Sequence, residues 1–109
     1  MYQYEAEVIR IIDGDTILLE VDLGYHLKFR DHFRLMGIDT PERGTAGYLP
    51  AKHRLEQLAP VGSAVVVDSY KGDKYGRWLA IIHPDTGPTV NATLVEEGFA
   101  KPYFGGAKS

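Results

Sequence analysis

Between Tyr25 and Ile38 the chain alternates: Leu27, Phe29, Phe33 and Leu35 share one parity, and His26, Lys28, Arg30, His32 and Arg34 share the other. Successive side chains of a strand point to opposite faces, so the run reads as one long half-buried strand with a basic stripe on its outer face. Its apolar face must be covered, and segments of the same kind lie close by. Tyr4-Glu5-Ala6-Glu7-Val8 alternates upstream, and Ile9-Arg10-Ile11 then moves the apolar phase by one residue, as a β-bulge does. Asp13-Gly14 supplies a hairpin turn, with the positive φ assigned to the glycine, and a second strand runs from about Thr16 to Val21. Asp22-Leu23-Gly24 is predicted to turn the chain into the third strand. Asp31 interrupts the apolar parity, which predicts a kink or bulge there.

Downstream, Arg43-Gly44-Thr45-Ala46-Gly47 reads as a loop. Tyr48, Ala51, Leu55 and Leu58 then recur at helical spacing, with Pro50 in the first turn and Pro60 and Gly62 past the end. A fourth strand covers Ala64 to Ser69, a turn-rich loop Lys71 to Arg77, and a fifth strand Trp78 to His83. A second short helix runs from about Val90 to Glu97, with Gly98 following it. Three strands, a helix, two strands and a helix predict a β-rich α+β domain: a five-stranded OB-fold barrel with two short helices packed on it. The chain has 109 residues, one domain's worth, taken as 1–104 with 105–109 as a flexible tail.

The absence of cysteine excludes thiolate metal sites, a cysteine nucleophile and disulfides. No apolar run reaches membrane-spanning length, so no membrane partner is expected. Met1-Tyr2-Gln3-Tyr4-Glu5 has neither a basic nor an apolar leader pattern, so no secretory signal is visible. A net charge of −3 is a poor field for a bulk nucleic-acid binder. Any such contact must come from a local basic face or through a bound cation.

The chemistry gathers where the long strand ends, in Phe33-Arg34-Leu35-Met36-Gly37-Ile38-Asp39-Thr40-Pro41-Glu42. Gly37 permits a bend and Pro41 stops both strand and helix. Asp39 sits just past the strand, Glu42 beyond the proline and Arg34 on the strand itself. Asp15, just after the first tight turn, can meet Asp39 because their strands are neighbours. Two carboxylates held close repel unless a cation lies between them. An all-oxygen donor set favours Ca²⁺ or Mg²⁺ over Zn²⁺, and Arg77 could bring a second guanidinium. The plainer reading is a polar loop after a strand, with Asp15 capping a turn. His26, His32, His53 and His83 share no spacing and are not read as zinc ligands.

Four blocks carry a resemblance: Asp13-Gly14-Asp15-Thr16, Arg34 to Glu42, Asp73-Lys74-Tyr75-Gly76-Arg77-Trp78-Leu79-Ala80, and Val90 to Ala100. In this order they resemble the signature blocks of the staphylococcal nuclease (thermonuclease-like) family, and the resemblance extends from Val8 to Lys101. It implies an OB-fold barrel and Ca²⁺-dependent hydrolysis of phosphodiester bonds in DNA and/or RNA. The substrate is expected as single-stranded or locally opened strands, and the protein as a monomer. On this resemblance Asp15, Asp39 and the backbone carbonyl of Thr40 hold the metal, Glu42 is the general base on water, and Arg34 and Arg77 clamp the phosphate. Lys74 and Tyr75 contact a terminal phosphate, Asp13 stands behind the metal ligands, and Tyr103 and Phe104 align loosely with base-stacking tyrosines. The hairpin from Gly24 to Arg34 is longer than in the best-known member. The competing reading is a non-catalytic OB-type module that binds nucleic acid or protein. The intact acid–arginine set is what separates the two.

Overall fold

The structure is a computed structural model that describes residues 2–72 and 76–103. In chain order its elements are β1 (Tyr2–Asp13), β2 (Thr16–Gly24), β3 (Leu27–Leu35), β4 (Ile38–Asp39), α1 (Tyr48–Leu58), β5 (Ala64–Tyr70), β6 (Trp78–His83), α2 (Val90–Glu96) and β7 (Lys101–Pro102). Strands β1, β2, β3, β6 and β5 close into a barrel in that order. Every pairing in it is antiparallel except β3 with β6, which is parallel. The predicted barrel with two short helices is therefore present. Val8, Ile17, Leu19, Phe33, Leu35, Val67, Ala80 and Ile82 fill its interior. The phase change in β1 is a register shift between Val8 and Arg10, and it keeps both Val8 and Ile11 buried.

The second hairpin departs from expectation. β2 runs on to Gly24, and the chain reverses through Tyr25 and His26, with φ +52° and +63°. A two-residue hairpin loop of type I′ takes positive φ at both central positions, which matches strand twist. Here two non-glycine residues adopt it, so the composition of Asp22-Leu23-Gly24 points to the wrong residues. The kink expected at Asp31 is absent, because pairing runs without a shift from Thr16 opposite Arg34 to Asp22 opposite Lys28. Asp31 is tolerated because β6 pairs with β3 at Phe33, Arg34 and Leu35, beyond Asp31. Its carboxylate stays partly exposed and accepts the His32 amide at 2.7 Å. Gly14 also serves a different end from the one predicted. Its φ is not positive; a Cβ there would lie 2.9 Å from Thr40 Oγ1 and 3.0 Å from Ala51 Cβ. Glycine lets the first hairpin turn press against α1 and the Thr40 segment.

α1 buries Tyr48, Ala51 and Leu55. α2 buries Val90, Asn91 and Leu94, and Thr89 caps it by accepting the Ala92 amide. Arg54 joins the two helices through a bidentate pair with Glu97 at 2.6 and 3.0 Å. None of the described helices is long and apolar enough to cross a membrane.

Asn91 is a buried polar residue that apolar patterning passes over. Its Oδ1 accepts the Ile82 amide at 3.1 Å, and its Nδ2 donates to the carbonyls of Met36 (2.9 Å) and Ala80 (3.0 Å). One side chain thus ties α2 to β6 and to the bend after β3. Asn91→Leu retains the volume but strands buried backbone groups, so a loss of roughly 2–4 kcal/mol is expected. Urea unfolding measures it, and a loss below about 1 kcal/mol would show that these bonds are replaced by water.

On β5 the buried Asp68 accepts from His83 Nε2 at 2.7 Å and from Gln3 Nε2 at 2.8 Å. These bonds, His83 first, hold its carboxyl below the usual carboxylate range. A depressed folded-state pKa stabilises the fold above the unfolded value, about 3.9, and that contribution vanishes as pH falls through the folded value. Wild type should therefore lose stability more steeply than Asp68→Asn as pH drops from about 4. Denaturant unfolding at stepped pH checks this, and parallel curves would contradict it.

Candidate active site

Asp15 lies in the β1–β2 turn, immediately before Thr16, and is buried. Its Oδ2 accepts from Arg34 Nη1 at 3.0 Å and from the Thr40 amide at 3.2 Å, and its Oδ1 accepts the Thr16 hydroxyl at 3.3 Å. Its backbone carbonyl accepts the Leu35 amide at 2.8 Å, which fastens the turn to the end of β3. Arg34, opposite Thr16 in the β2–β3 register, reaches the other way with Nη2. That nitrogen donates to the Ile38 carbonyl at 3.0 Å and to Asp39 Oδ1 at 3.3 Å. One guanidinium therefore spans both predicted metal carboxylates.

Asp39 is positioned by an element too short to read from sequence. β4 pairs with β7, Asp39 opposite Lys101, and the Tyr103 amide donates to the Gly37 carbonyl at 2.8 Å. The Tyr103 ring, which aligns loosely with a base-stacking tyrosine, lies against Arg34, with its centroid 5.5 Å from the guanidinium carbon.

Two carboxylates around one guanidinium leave a surplus of negative charge. Asp15 and Asp39 bring carboxylate oxygens together here, and the Thr40 amide, which donates to Asp15 Oδ2, sets that residue's backbone beside them. Among the described residues no three His, Cys, Asp or Glu side chains converge into a metal cluster. Two carboxylates, a backbone oxygen and water suit a hard cation that keeps part of its hydration, and they suit zinc poorly. The residues fit Ca²⁺ or Mg²⁺.

Glu42 is exposed in the loop between β4 and α1. Its backbone carbonyl accepts the Thr45 hydroxyl at 2.6 Å and the Thr45 amide at 3.1 Å. With Asp39, Thr40 and Pro41 on one side and Phe99, Ala100 and Lys101 on the other, it lines a cleft of about 470 Å³. Arg77 precedes Trp78, which pairs with Phe33, and Leu79 pairs with Arg34. β6 thus brings Arg77 alongside the strand that carries Arg34. Lys74, Tyr75 and Phe104 lie outside the described residues, as does the tail 105–109.

The basic stripe on β3 is largely neutralised. Arg30 pairs with Glu20 at 2.7 Å and Lys28 with Asp22 at 3.3 Å, each directly across the β2–β3 ladder. The outer strand face is a set of cross-strand ion pairs and not an open cationic surface.

Asp13 is turned towards the first helix. Its Oδ1 accepts the Tyr48 hydroxyl at 2.6 Å and Arg43 Nη2 at 3.4 Å. Sequence reasoning passed over both partners. Tyr48 fits the apolar helical spacing so well that its hydroxyl attracts no notice, and Arg43 sits in a loop without periodicity. The one available signal is that a tyrosine on a buried helical face needs a partner for its hydroxyl.

The model of the family described as staphylococcal nuclease homologue matches residues 32–108. The chain is 35% identical over 108 residues to a micrococcal nuclease of Shigella flexneri, covering 92% of this chain and 59% of that protein. It is 29% identical over 109 residues to a thermonuclease of Staphylococcus hyicus, covering 90% of this chain and 59% of the other. Endonuclease YhcR of Bacillus subtilis is 31% identical over 115 residues, covering 94% of this chain but 9% of that much longer protein. The chain thus spans about six tenths of the micrococcal nuclease and thermonuclease relatives.

Proposed function

Since this chain belongs to the staphylococcal nuclease homologue family, we propose that it is a Ca²⁺-dependent nuclease hydrolysing phosphodiester bonds of DNA and/or RNA. The observation that carries the reading is the Arg34 guanidinium held between Asp15 and Asp39 beside the cleft that Glu42 lines. Asp15, Asp39 and the Thr40 carbonyl would hold the ion. Bound there, Ca²⁺ supplies positive charge against the phosphate oxygens.

The chain's own residues account for the rest. Glu42 is open to solvent and accepts the proton of the attacking water. Arg34 is oriented by Asp15, Ile38 and Asp39 and keeps donors on Nη1 and Nε for a phosphate oxygen. Arg77 is the second clamp on the phosphate, and Lys74 and Tyr75 take a terminal phosphate. Tyr103 backs Arg34 and, with Phe104, stacks bases. With Lys28 and Arg30 paired, affinity rests on few cations; the substrate is a single or locally opened strand, and the protein a monomer.

The test is cleavage of a short single-stranded oligonucleotide in Ca²⁺, in Mg²⁺ and in chelator. Cleavage in Ca²⁺ that stops in chelator is expected. Mg²⁺ demands tighter octahedral geometry and dehydrates reluctantly, so little turnover is expected with it. Full activity in Mg²⁺ alone would overturn the choice of ion. Binding without cleavage under every condition would leave the binding module as the correct reading.

A further inference from the structure

We infer that Arg43 and Tyr48 are positioning residues for Glu42, latching its loop to the β1–β2 turn through Asp13. The inference rests on the reading of Glu42 as the general base.

The loop joining β4 to α1 is held at both ends. At its start the Thr40 amide bonds Asp15. At its end Gly47 packs against Pro41 so closely that a Cβ would fall 2.7 Å from Pro41 Cγ. The Thr45 hydroxyl and amide close a turn on the Glu42 carbonyl, but that turn is internal to the loop. The fastening to the body of the protein comes from the next residue. Arg43 Nη2 lies 3.4 Å from both Asp13 Oδ1 and Tyr48 Oη, and its guanidinium carbon stands 5.6 Å from the Tyr48 ring centroid. Tyr48 is buried on α1 and donates its hydroxyl to Asp13 at 2.6 Å.

The cluster is electrically self-consistent. The bond to Tyr48, then that to Asp13, raises the Arg43 guanidinium above its ordinary value. The bond to Asp13, then burial, raises the Tyr48 phenol. Both donors therefore keep their protons across the neutral range. As a surface ion pair Arg43–Asp13 contributes little to stability. Its effect is geometric, because a misplacement of about 1 Å in a reacting group can cost on the order of a hundredfold in rate. Asp13 and Asp15 sit on the same tight turn. That turn therefore references the acid centre through Asp15 and the base through Asp13, and Gly14 between them keeps it pressed against Thr40 and α1.

The experiment uses Tyr48→Phe, which retains the buried ring, and Arg43→Met, each made in wild type and in Glu42→Gln. Single-turnover cleavage in Ca²⁺, substrate KM, Ca²⁺ affinity and hydrogen exchange of the Thr45 amide are measured. In the wild-type background each variant is expected to lose about tenfold in turnover with KM and Ca²⁺ affinity near wild type. In the Glu42→Gln background no further loss is expected. The Thr45 amide should exchange roughly tenfold faster in both variants. Wild-type turnover with unchanged Thr45 exchange overturns the latch while leaving the nuclease reading intact. An equal rate loss in both backgrounds shows a structural role and also overturns it. A wild-type protein that cleaves nothing in any divalent cation overturns the nuclease reading and the positioning role together.

Discussion

Glu42→Gln is expected to lower single-turnover cleavage by about 10²–10⁴-fold while Ca²⁺ affinity stays near wild type. Glutamine keeps the shape of the side chain and removes its ability to take a proton from water. Affinity should be spared because Glu42 stands one step beyond the Asp15–Asp39 pair, and no third acid joins that pair into a cluster among the described residues. The measurement is oligonucleotide cleavage beside a Ca²⁺ titration. A rate within a few-fold of wild type would remove Glu42 as the base. A parallel fall in Ca²⁺ affinity would make it a ligand instead.

Arg34→Lys should affect both catalysis and folding. The guanidinium serves Asp15, Ile38 and Asp39 together, and its side chain is only 13% exposed. Lysine carries the same charge as a single point and cannot reproduce a planar fork. Turnover should fall by about 10²–10³, the usual loss for one donor aimed at transition-state charge. Without divalent cation the variant should also lose about 1–3 kcal/mol, because Asp15 and Asp39 forfeit their shared bridge and the Ile38 carbonyl its donor. Added Ca²⁺ should recover part of this by binding only the folded state. Unfolding curves with and without Ca²⁺ measure both effects. An unaltered apo stability would mean the bridge is dispensable in the resting protein.

The barrel is legible in the sequence because its inward residues alternate over long stretches. Phe33 and Leu35 of β3 are buried as the alternation predicts, whereas Phe29 is half-buried and Leu27, beside the Tyr25–His26 turn, is 59% exposed. The acids and arginines are legible as types at strand ends. Their mutual geometry depends on contacts that leave no local trace. β4 and β7 are two residues each, too short for any period, yet they place Asp39. Asn91 is a polar residue whose partners are backbone groups far along the chain. The Tyr25–His26 turn is set by the β2–β3 ladder and overrides the turn chemistry of Asp22-Leu23-Gly24. Gly14 looks like a turn glycine and is in fact a contact glycine.

The β4–β7 pairing bears on the order in which the protein is made. Ribosomes release a chain from its N-terminus onward. The five barrel strands are complete once His83 has emerged, but Asp39 gains its backbone partner only with Lys101. A nascent chain can therefore hold a closed barrel, with the Asp39 carboxylate already meeting Arg34, before the Asp39 backbone has gained its partner strand. The backbone at Asp39 is completed only after the barrel strands, when β7 docks beside β4.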